Sequence, residues 1–565
     1  MNSSSQLQST SEIGLPRLAL WFGLVGGLGE VAVHAVQRLH RHVLLLLGDD
    51  TVWMAPLAVF LLLLVVGLGL SLVQRIRRRP ANDLLIPAFI LIASLGIMLA
   101  YPRLQWAASS VVAAGIAFQG TRTYRRRTAG FDTLVRRTMT PLLGVVLVLA
   151  GVLVVTRWRE RRPVEVSPPA GSPNVLLIIL DTVRELDFDG GDALAHYLPR
   201  LASAAHSGVR FTVAIAPSSW TLPSHASMFT GQWPSEHQSN WNQPLDGHFA
   251  TLAEALREAG YQTAAFVGNR NYVSRETGLA QGFQEFHNLT IGPGELLRSS
   301  MLLRKILESP RTKNLLGWHE MLGRRHAPRV TREALDWVSG HQDRPFFVFL
   351  NYFDAHYPYL PPAPYDSAVR SLGGGKDPGL RFREDFDGRL PVPAVLEEGK
   401  AAYAASMRYL DAQVTGLLDS LAQRGALKNT WVIVTADHGE EFGEHGVTGH
   451  GHNLYRTTVQ VPLLIWGPGL TPGTSDAPVS LRNIPATVMA WVGTGGSGGF
   501  PGVSLLQLRT TGDSARAELI WQPGMLPVDS LGGADLTAWV RDSTRLIRTG
   551  SRGEKEFLLS DPFEH

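Results

Sequence analysis

The 565-residue chain contains no cysteine. That absence removes disulfides, thiolate metal ligands and a cysteine nucleophile. It does not exclude a site outside the cytoplasm, because a large core folds there without bridges. Internal repeats, low-complexity tracts and a basic stripe interleaved with aromatics are also lacking. The formal charge of +3 reflects N-terminal cations set in short clusters between apolar spans, the pattern of membrane loops. Nucleic acid is therefore not expected as a partner. A chain of this length exceeds one ordinary domain, and its apolar N-terminal part is unlike the polar remainder.

What is present begins with those spans. Residues 1–16 are polar and expected to be disordered. Apolar runs at 52–73, 84–101 and 141–156 approach the length a bilayer requires. Weaker ones cover 18–39, which carries Glu30 and His34, and 106–118, which is short. About five membrane helices within 17–157 are expected, with four as the alternative; a cleavable signal peptide does not fit. Glu30 and His34 read as a polar contact inside the bundle rather than a functional pair. Arg75 and Arg77–Arg79, then Arg122, Arg125–Arg127, Arg136 and Arg137, fall on one side, which the positive-inside rule makes cytoplasmic. The last span then delivers the rest of the chain outside, although Arg157, Arg159, Arg161 and Arg162 run against the rule. Residues 158–173, with Pro163, Pro168, Pro169 and Pro173, form a linker.

From residue 174 the pattern is α/β. Asn174–Leu180 is an unbroken apolar run, a strand buried on both faces and hence central in a parallel sheet, and it stops at Asp181. Residues 346–350 form a second such strand leading to Asp354-Ala355-His356, whose side chains share a face if the backbone stays extended. Residues 431–436 form a third, running into Asp437-His438-Gly439-Glu440-Glu441, with His445, His450 and His452 in the Gly-rich loop beyond. In Trp220-Thr221-Leu222-Pro223-Ser224-His225 the spacing predicts a helix start, with Thr221 as N-cap and Pro223 in the first turn. Its hydroxyl then lies at the positive end of a helix, where an anionic ester is stabilised. Residues 295–329 are basic and irregular, an insertion or lid, and 361–393 are loop. Adjacent Asp and His at a strand end suit a divalent cation with one nitrogen ligand. Convergence of the three strand ends beside the Thr221 helix is what a doubly wound topology produces.

These motifs resemble the sulfatase branch of the alkaline phosphatase superfamily. The match runs through N-V-L-L-I-I-L-D-T-V-R, S-S-W-T-L-P-S-H-A-S-M-F-T-G, P-F-F-V-F-L-N-Y-F-D-A-H-Y-P-Y, V-I-V-T-A-D-H-G-E-E-F-G-E-H-G, G-H-G-H-N-L-Y and the closing F-L-L-S-D-P-F-E. It covers residues 174–565. It implies a central, mostly parallel sheet with helices on both faces. The layout behind a membrane bundle is similar to lipoteichoic acid synthases and phosphoethanolamine transferases. By position, Asp181, Thr221, Asp437 and His438 would hold the metal, with Thr221 as nucleophile. His225 would contact the ester's anionic oxygens, and His356 would do likewise or protonate the leaving group. His450 or His452 would complete the pocket, and Arg184 is a further oxyanion candidate.

Two departures from the sulfatase pattern matter. Sulfatases carry Cys or Ser at the Thr221 position and convert it to formylglycine; threonine cannot form that aldehyde, and Ser218 and Ser219 are out of register. They also carry a second Asp at the Thr182 position and Asn at that of His438. Both departures favour phosphotransfer. The activated Thr221 hydroxyl would attack phosphorus, a covalent phospho-threonine would form, and water or an acceptor hydroxyl would resolve it. His438 moves the expected ion from calcium or magnesium towards manganese or zinc. A second metal through Asp354, His356 and a loop histidine is a further option, although D-x-H differs from the D-x-x-x-H of two-metal relatives. The reading is thus an integral, multi-pass enzyme with an extracytoplasmic catalytic domain. Its partners would be the lipid bilayer and an anionic ester, a lipid headgroup or cell-envelope polymer. The alternatives are a true sulfatase using Thr221 directly, and an inactive structural or sensing membrane protein.

Overall fold

The computed structural model describes residues 13–564 except 42–43, 45–46, 77–81, 102–103, 163–164, 290, 317–319, 321–323, 368–389, 494–498, 514, 521–534, 542–543, 550–552, 559–560 and 562–563. The expected disordered terminus up to residue 12, Arg77–Arg79 and most of the 361–393 loop lie outside that set. The chain forms two compact units, Met1–Arg159 with Thr290–Gly323, and Glu160–Leu289 with Arg324–His565.

The first unit holds five long helices: α1 (Leu15–Arg41), α2 (Thr51–Ile76), α3 (Asn82–Leu99), α4 (Trp106–Arg126) and α5 (Thr128–Glu160). Leu15–Leu39, Thr51–Ile76 and Thr128–Glu160 are long and apolar enough to cross a membrane; the apolar stretch of α3, Leu84–Leu99, is shorter. The arginine-rich loop expected between the fourth and fifth spans is instead helical. Only Arg127, at φ −140° and ψ 47°, separates α4 from α5. Nothing between Arg122 and Thr128 breaks a helix, since arginine propagates one well. Asp50, at the start of α2, pairs with Arg157, near the end of α5, at 2.7 Å. Glu30 lies in the bundle as expected, but its carboxylate accepts from Met301 N–H at 2.8 Å and from the Ser300 hydroxyl at 3.4 Å. The 295–329 insertion therefore divides: its part up to Gly323 belongs with the helices.

The second unit is built on strands β1 (Asn174–Leu180), β2 (Val209–Ile215), β3 (Gln262–Val267), β4 (Glu285–His287), β5 (Phe346–Tyr352), β6 (Thr430–Thr435), β7 (Glu441–Phe442), β8 (Thr448–Gly449), β9 (Gln460–Trp466) and β10 (Gly473–Ser475). The main sheet runs β10-β2-β9-β6-β1-β5-β3-β4. From β6 to β4 every pairing is parallel, and β9 is antiparallel to both β6 and β2. The three strands read from the sequence are neighbours: β1 sits between β5 and β6, in register Leu177↔Phe349 and Leu177↔Ile433. Val175 to Leu180 are essentially inaccessible to solvent, because a strand flanked on both edges and covered on both faces has no wet side. Each such aliphatic contributes roughly 1.5–3 kcal/mol by burial. The parallel strands all end on one side, so Asp181 and Asp437 emerge from adjacent positions. A second, antiparallel sheet of four strands lies near the C-terminus, at Ala515–Leu519, Leu536–Arg541, Thr544–Thr549 and Gly553–Leu558.

Candidate active site

The site begins with a strained turn. Immediately after β1, Thr182 has φ +65°, a conformation a β-branched residue avoids. Three hydrogen bonds hold it. Its N–H donates to Asp437 Oδ1 at 3.2 Å, its hydroxyl to the Asp181 carbonyl at 2.6 Å, and its carbonyl accepts from the Tyr403 hydroxyl at 2.8 Å. Strain fixed in this way is typical of positions that aim a functional group. Here it turns Asp181 towards Asp437.

Each carboxylate has one oxygen committed and one left over. Asp181 Oδ2 accepts from Asn269 at 2.9 Å and Asn351 at 3.3 Å; Asp437 Oδ1 accepts from the Thr182 and His438 N–H groups. Asp181 Oδ1 and Asp437 Oδ2 are buried without any donor. His438 donates Nδ1–H to the Gly439 carbonyl at 2.9 Å. The implied tautomer leaves the Nε2 lone pair facing the same space, 3.4 Å from Asp437 Oδ2. Asp181, Asp437 and His438 offer ligand atoms all within 4.8 Å of one another, the one such buried group among the described residues. Burial, then the charge of Asp437, pushes the Asp181 carboxyl well above its ordinary range; burial lifts Asp437 to about 7 and lowers His438 to about 4. Two buried carboxylates facing each other with unpartnered oxygens are poorly solvated as anions. A cation between them would reverse that. The donor set fits a divalent metal.

Thr221 supplies the hydroxyl. Its helix, Thr221–Thr230, starts one residue earlier than expected: Trp220 is the N-cap and Thr221 the first helical residue. The Thr221 hydroxyl donates to His438 Nε2 at 3.2 Å. Ser224, one turn on, ties the helix to the Asp437 carbonyl at 2.6 Å. His225 is fully buried, donating Nδ1–H to the Thr221 carbonyl at 2.8 Å, and it lies 3.6 Å from Asp437 Oδ2. Its ring is wedged against Phe229 and Phe349.

His438, which meets the hydroxyl, is the first of three imidazoles in contact. The His450 ring lies 4.3 Å from that of His438 and 5.1 Å from that of His356. His450 Nδ1 bonds Glu440 at 2.7 Å, and His356 Nδ1 bonds the Tyr357 carbonyl at 2.7 Å. Both therefore present Nε2, and burial keeps both neutral, with His450 lowered to about 3. Glu440 is held in turn by the Tyr359 hydroxyl at 2.9 Å. Trp220 packs on His450, and Gly451, at φ +79°, leaves the space that the Trp220 ring fills. His450 thus joins the cluster. His452 makes none of these ring contacts, and its Nδ1 is buried without a partner.

Two residues sit apart from these roles. Arg184 is fully buried and donates to the Leu186, Asp187 and Glu440 carbonyls and to Glu444 at 2.6 Å; it braces the loop that carries Glu440. Asp354 does not share a face with His356, because β5 ends at Tyr352 and the chain turns. Asp354 instead accepts from Ala327 N–H at 3.0 Å, at the start of the helix Ala327–Gly340, and its carboxylate lies 3.4 Å from His326 Nδ1. The residues missed in the sequence are Asn269, Asn351, Glu440 and Tyr359. The first two have a signal, since they end β3 and β5, the strands beside β1.

Comparison with known proteins agrees with this fold. The family model described as Sulfatase matches residues 173–494, more than half of the chain. Choline-sulfatase of Rhizobium meliloti is 24% identical over 402 residues, covering 65% of this chain and 73% of that protein. The multifunctional alkaline phosphatase superfamily protein PehA of Trinickia caryophylli is 24% identical over 421 residues, 62% of this chain and 80% of its own. Among solved structures, phosphonate monoester hydrolase of Agrobacterium radiobacter superposes with a TM-score of 0.53 at 20% identity, over 69% of this chain and 90% of its own. Matched over residues 173–494, which include Asp181, Thr221 and Asp437, the chain belongs to the sulfatase family of the alkaline phosphatase superfamily, whose members are metal-dependent hydrolases.

Proposed function

We propose that this sulfatase-family hydrolase is anchored in a membrane by its N-terminal helices and cleaves phosphate-type esters, by hydrolysis or transfer, through a covalent intermediate on Thr221. The observation that carries the reading is a threonine hydroxyl at a helix N-terminus, 3.2 Å from a ligating nitrogen of the Asp181–Asp437–His438 group. Those three residues and Thr221 would hold a divalent ion, manganese or zinc suiting the imidazole better than calcium. When bound, the ion supplies Lewis-acid charge that lowers the hydroxyl's pKa and offsets charge on the ester.

The chain's own groups do the rest. Thr221 Oγ forms its bond to phosphorus as the bond to the leaving oxygen breaks. Neutral His450 takes the hydroxyl proton on Nε2 and passes it to the leaving oxygen, while the Glu440 carboxylate on Nδ1 stabilises the transient imidazolium. Water or an acceptor hydroxyl then attacks phosphorus, its proton travels the same route, and Thr221 is released. His356, across the cluster, orients the anionic oxygens. The Asp50–Arg157 pair supports an extracytoplasmic catalytic unit, since it accounts for one arginine that otherwise opposes the charge rule.

The test is turnover of an aryl phosphodiester and an aryl sulfate by the parent, Thr221→Ser and Thr221→Ala. The expected result is phosphodiester turnover by the parent, a reduced rate for Thr221→Ser and none for Thr221→Ala. A Thr221→Ala variant as fast as the parent overturns the nucleophile. Preference for the aryl sulfate, a sulfuric ester of the broad class that the name of the choline-sulfatase relative points to, makes the protein a sulfuric ester hydrolase instead.

A further inference from the structure

The chain inserted between β4 and β5 leaves the unit it interrupts. Residues 290–323 group with the N-terminal helices, and their described part forms three short helices, Pro293–Ser299, Met301–Leu307 and Pro310–Leu316. The first packs on α2 and the second on α3. Glu30 of α1 fixes the junction between those two by accepting Met301 N–H at 2.8 Å.

The outward side of this segment combines two features. Ile291, Leu297, Ile306, Leu315 and Leu316 are exposed, Leu315 at 85%. Lys305 and Arg311 are exposed among them. Between residues 291 and 316 the five cations Arg298, Arg304, Lys305, Arg311 and Lys313 face only Glu295 and Glu308. A water-soluble surface rarely leaves such an apolar set uncovered. Leucine and isoleucine alternating with lysine and arginine, on short helices continuous with a bundle of apolar helices, is the composition of a segment lying in a lipid interface.

We propose that residues 291–316 are a membrane-surface element, which sinks its leucines and isoleucines into the headgroup region and takes anionic lipid headgroups with Lys305 and Arg311. The proposal rests on the reading of α1, α2 and α5 as bilayer helices. It extends that reading to a stretch inserted in the catalytic fold. Arg324, the first residue of the catalytic unit after this stretch, donates to the His356 carbonyl at 2.8 Å and that of Tyr357 at 2.9 Å.

The cysteine-free chain permits single-site labelling. Leu315→Cys, Val65→Cys on α2 and His248→Cys on the catalytic unit are each labelled with an environment-sensitive fluorophore. The full-length variants are reconstituted in phosphatidylcholine vesicles, with or without phosphatidylglycerol, that carry shallow and deep doxyl quenchers. The expected result is deep quenching at 65, shallow quenching at 315 that rises with phosphatidylglycerol, and none at 248. Lys305→Glu with Arg311→Glu should cut the shielded-to-exposed ratio at 315 about fivefold or more per charge and remove the lipid dependence. A label at 315 quenched no more than at 248, while 65 is quenched, overturns the proposal and leaves the bilayer reading intact. A label at 65 that escapes quenching overturns both.

Discussion

At the residue scale, reactivity here depends on which atoms are committed elsewhere. His438, His450 and His356 each have Nδ1 bonded to a fixed acceptor, so each turns Nε2 into the shared space. Among the three, only His450 uses a carboxylate as that acceptor. Replacing Glu440 by Gln keeps the hydrogen bond but removes the charge that stabilises protonated His450, and kcat should fall about 10–100-fold with KM little changed. His450→Ala should cost more, about 10²–10⁴-fold, and the two changes combined should cost no more than His450→Ala alone. Steady-state kinetics on one aryl ester checks both, and additive losses would show that Glu440 does not act through His450. Gly451→Ala should also lower kcat, because a methyl group there displaces Trp220 from the face of His450. The candidate ligand group was legible because polar groups placed at strand ends leave a local mark: Asp181 and the Asp437-His438 pair each follow an apolar run directly. Asn351 and Asn269 carried a weaker form of that mark, at the ends of β5 and β3, and Tyr359 carried none, because it acts through Glu440, far away in sequence. The roles of Arg184 and Asp354 differ for a similar reason, since a turn of backbone decides what a charged side chain meets.

At the element scale, β1, β5 and β6 were readable as central strands because burial on both faces leaves their middles apolar, with polar residues only at the ends, and the structure places them side by side. The C-terminal antiparallel sheet carried no comparable signal. Its strands mix arginine, glutamate and threonine with few aliphatics, as in Thr544–Thr549, and half-exposed strands of that kind resemble loop. Termination of elements was harder again: the Thr221 helix starts after a Trp N-cap without a side-chain bond, so no residue type marks it. The edge strand β4 offers a pH test. The His287 ring at 3.0 Å and the Trp337 indole N–H at 3.1 Å hold the Glu285 carboxylate down at about 2, against an ordinary 4.5. A depressed acid stabilises the fold fully above its unfolded pKa. That contribution is lost as pH falls through the folded value, here from about 4.5 to about 2. The melting temperature of the parent should therefore drop more steeply across that window than that of Glu285→Gln, in thermal scans of the full-length protein at matched ionic strength. Parallel acid limbs for the two would assign the acid sensitivity to other carboxylates.

At the scale of the whole molecule, the sheet brings together groups that are costly to bury and leaves them unpaired. Asp181 Oδ1 and Asp437 Oδ2 are buried without donors; burial raises both carboxyls, and the charge of Asp437 adds to the rise of Asp181. A divalent ion that binds the folded chain and not the unfolded one should stabilise it by about 2.7 kcal/mol at a hundred times its Kd. Thermal scans with a chelator, then with manganese or zinc titrated in, should show a melting temperature that climbs with metal concentration. The sign of a single substitution makes the test sharper. Asp181→Asn removes one of two opposed charges while Asn269 and Asn351 remain in place, so without metal it should melt above the parent. With saturating metal the order should invert, because the variant has lost a ligand and with it most of the rise. Ordinary structural carboxylates do not behave this way: deleting a hydrogen-bonded one lowers stability under both conditions. Inversion of the two melting curves on adding metal would thus identify the strand ends as a cation site by stability alone, independent of any substrate. A variant that melts below the parent in both conditions would mean that Asp181 serves the fold and not the metal.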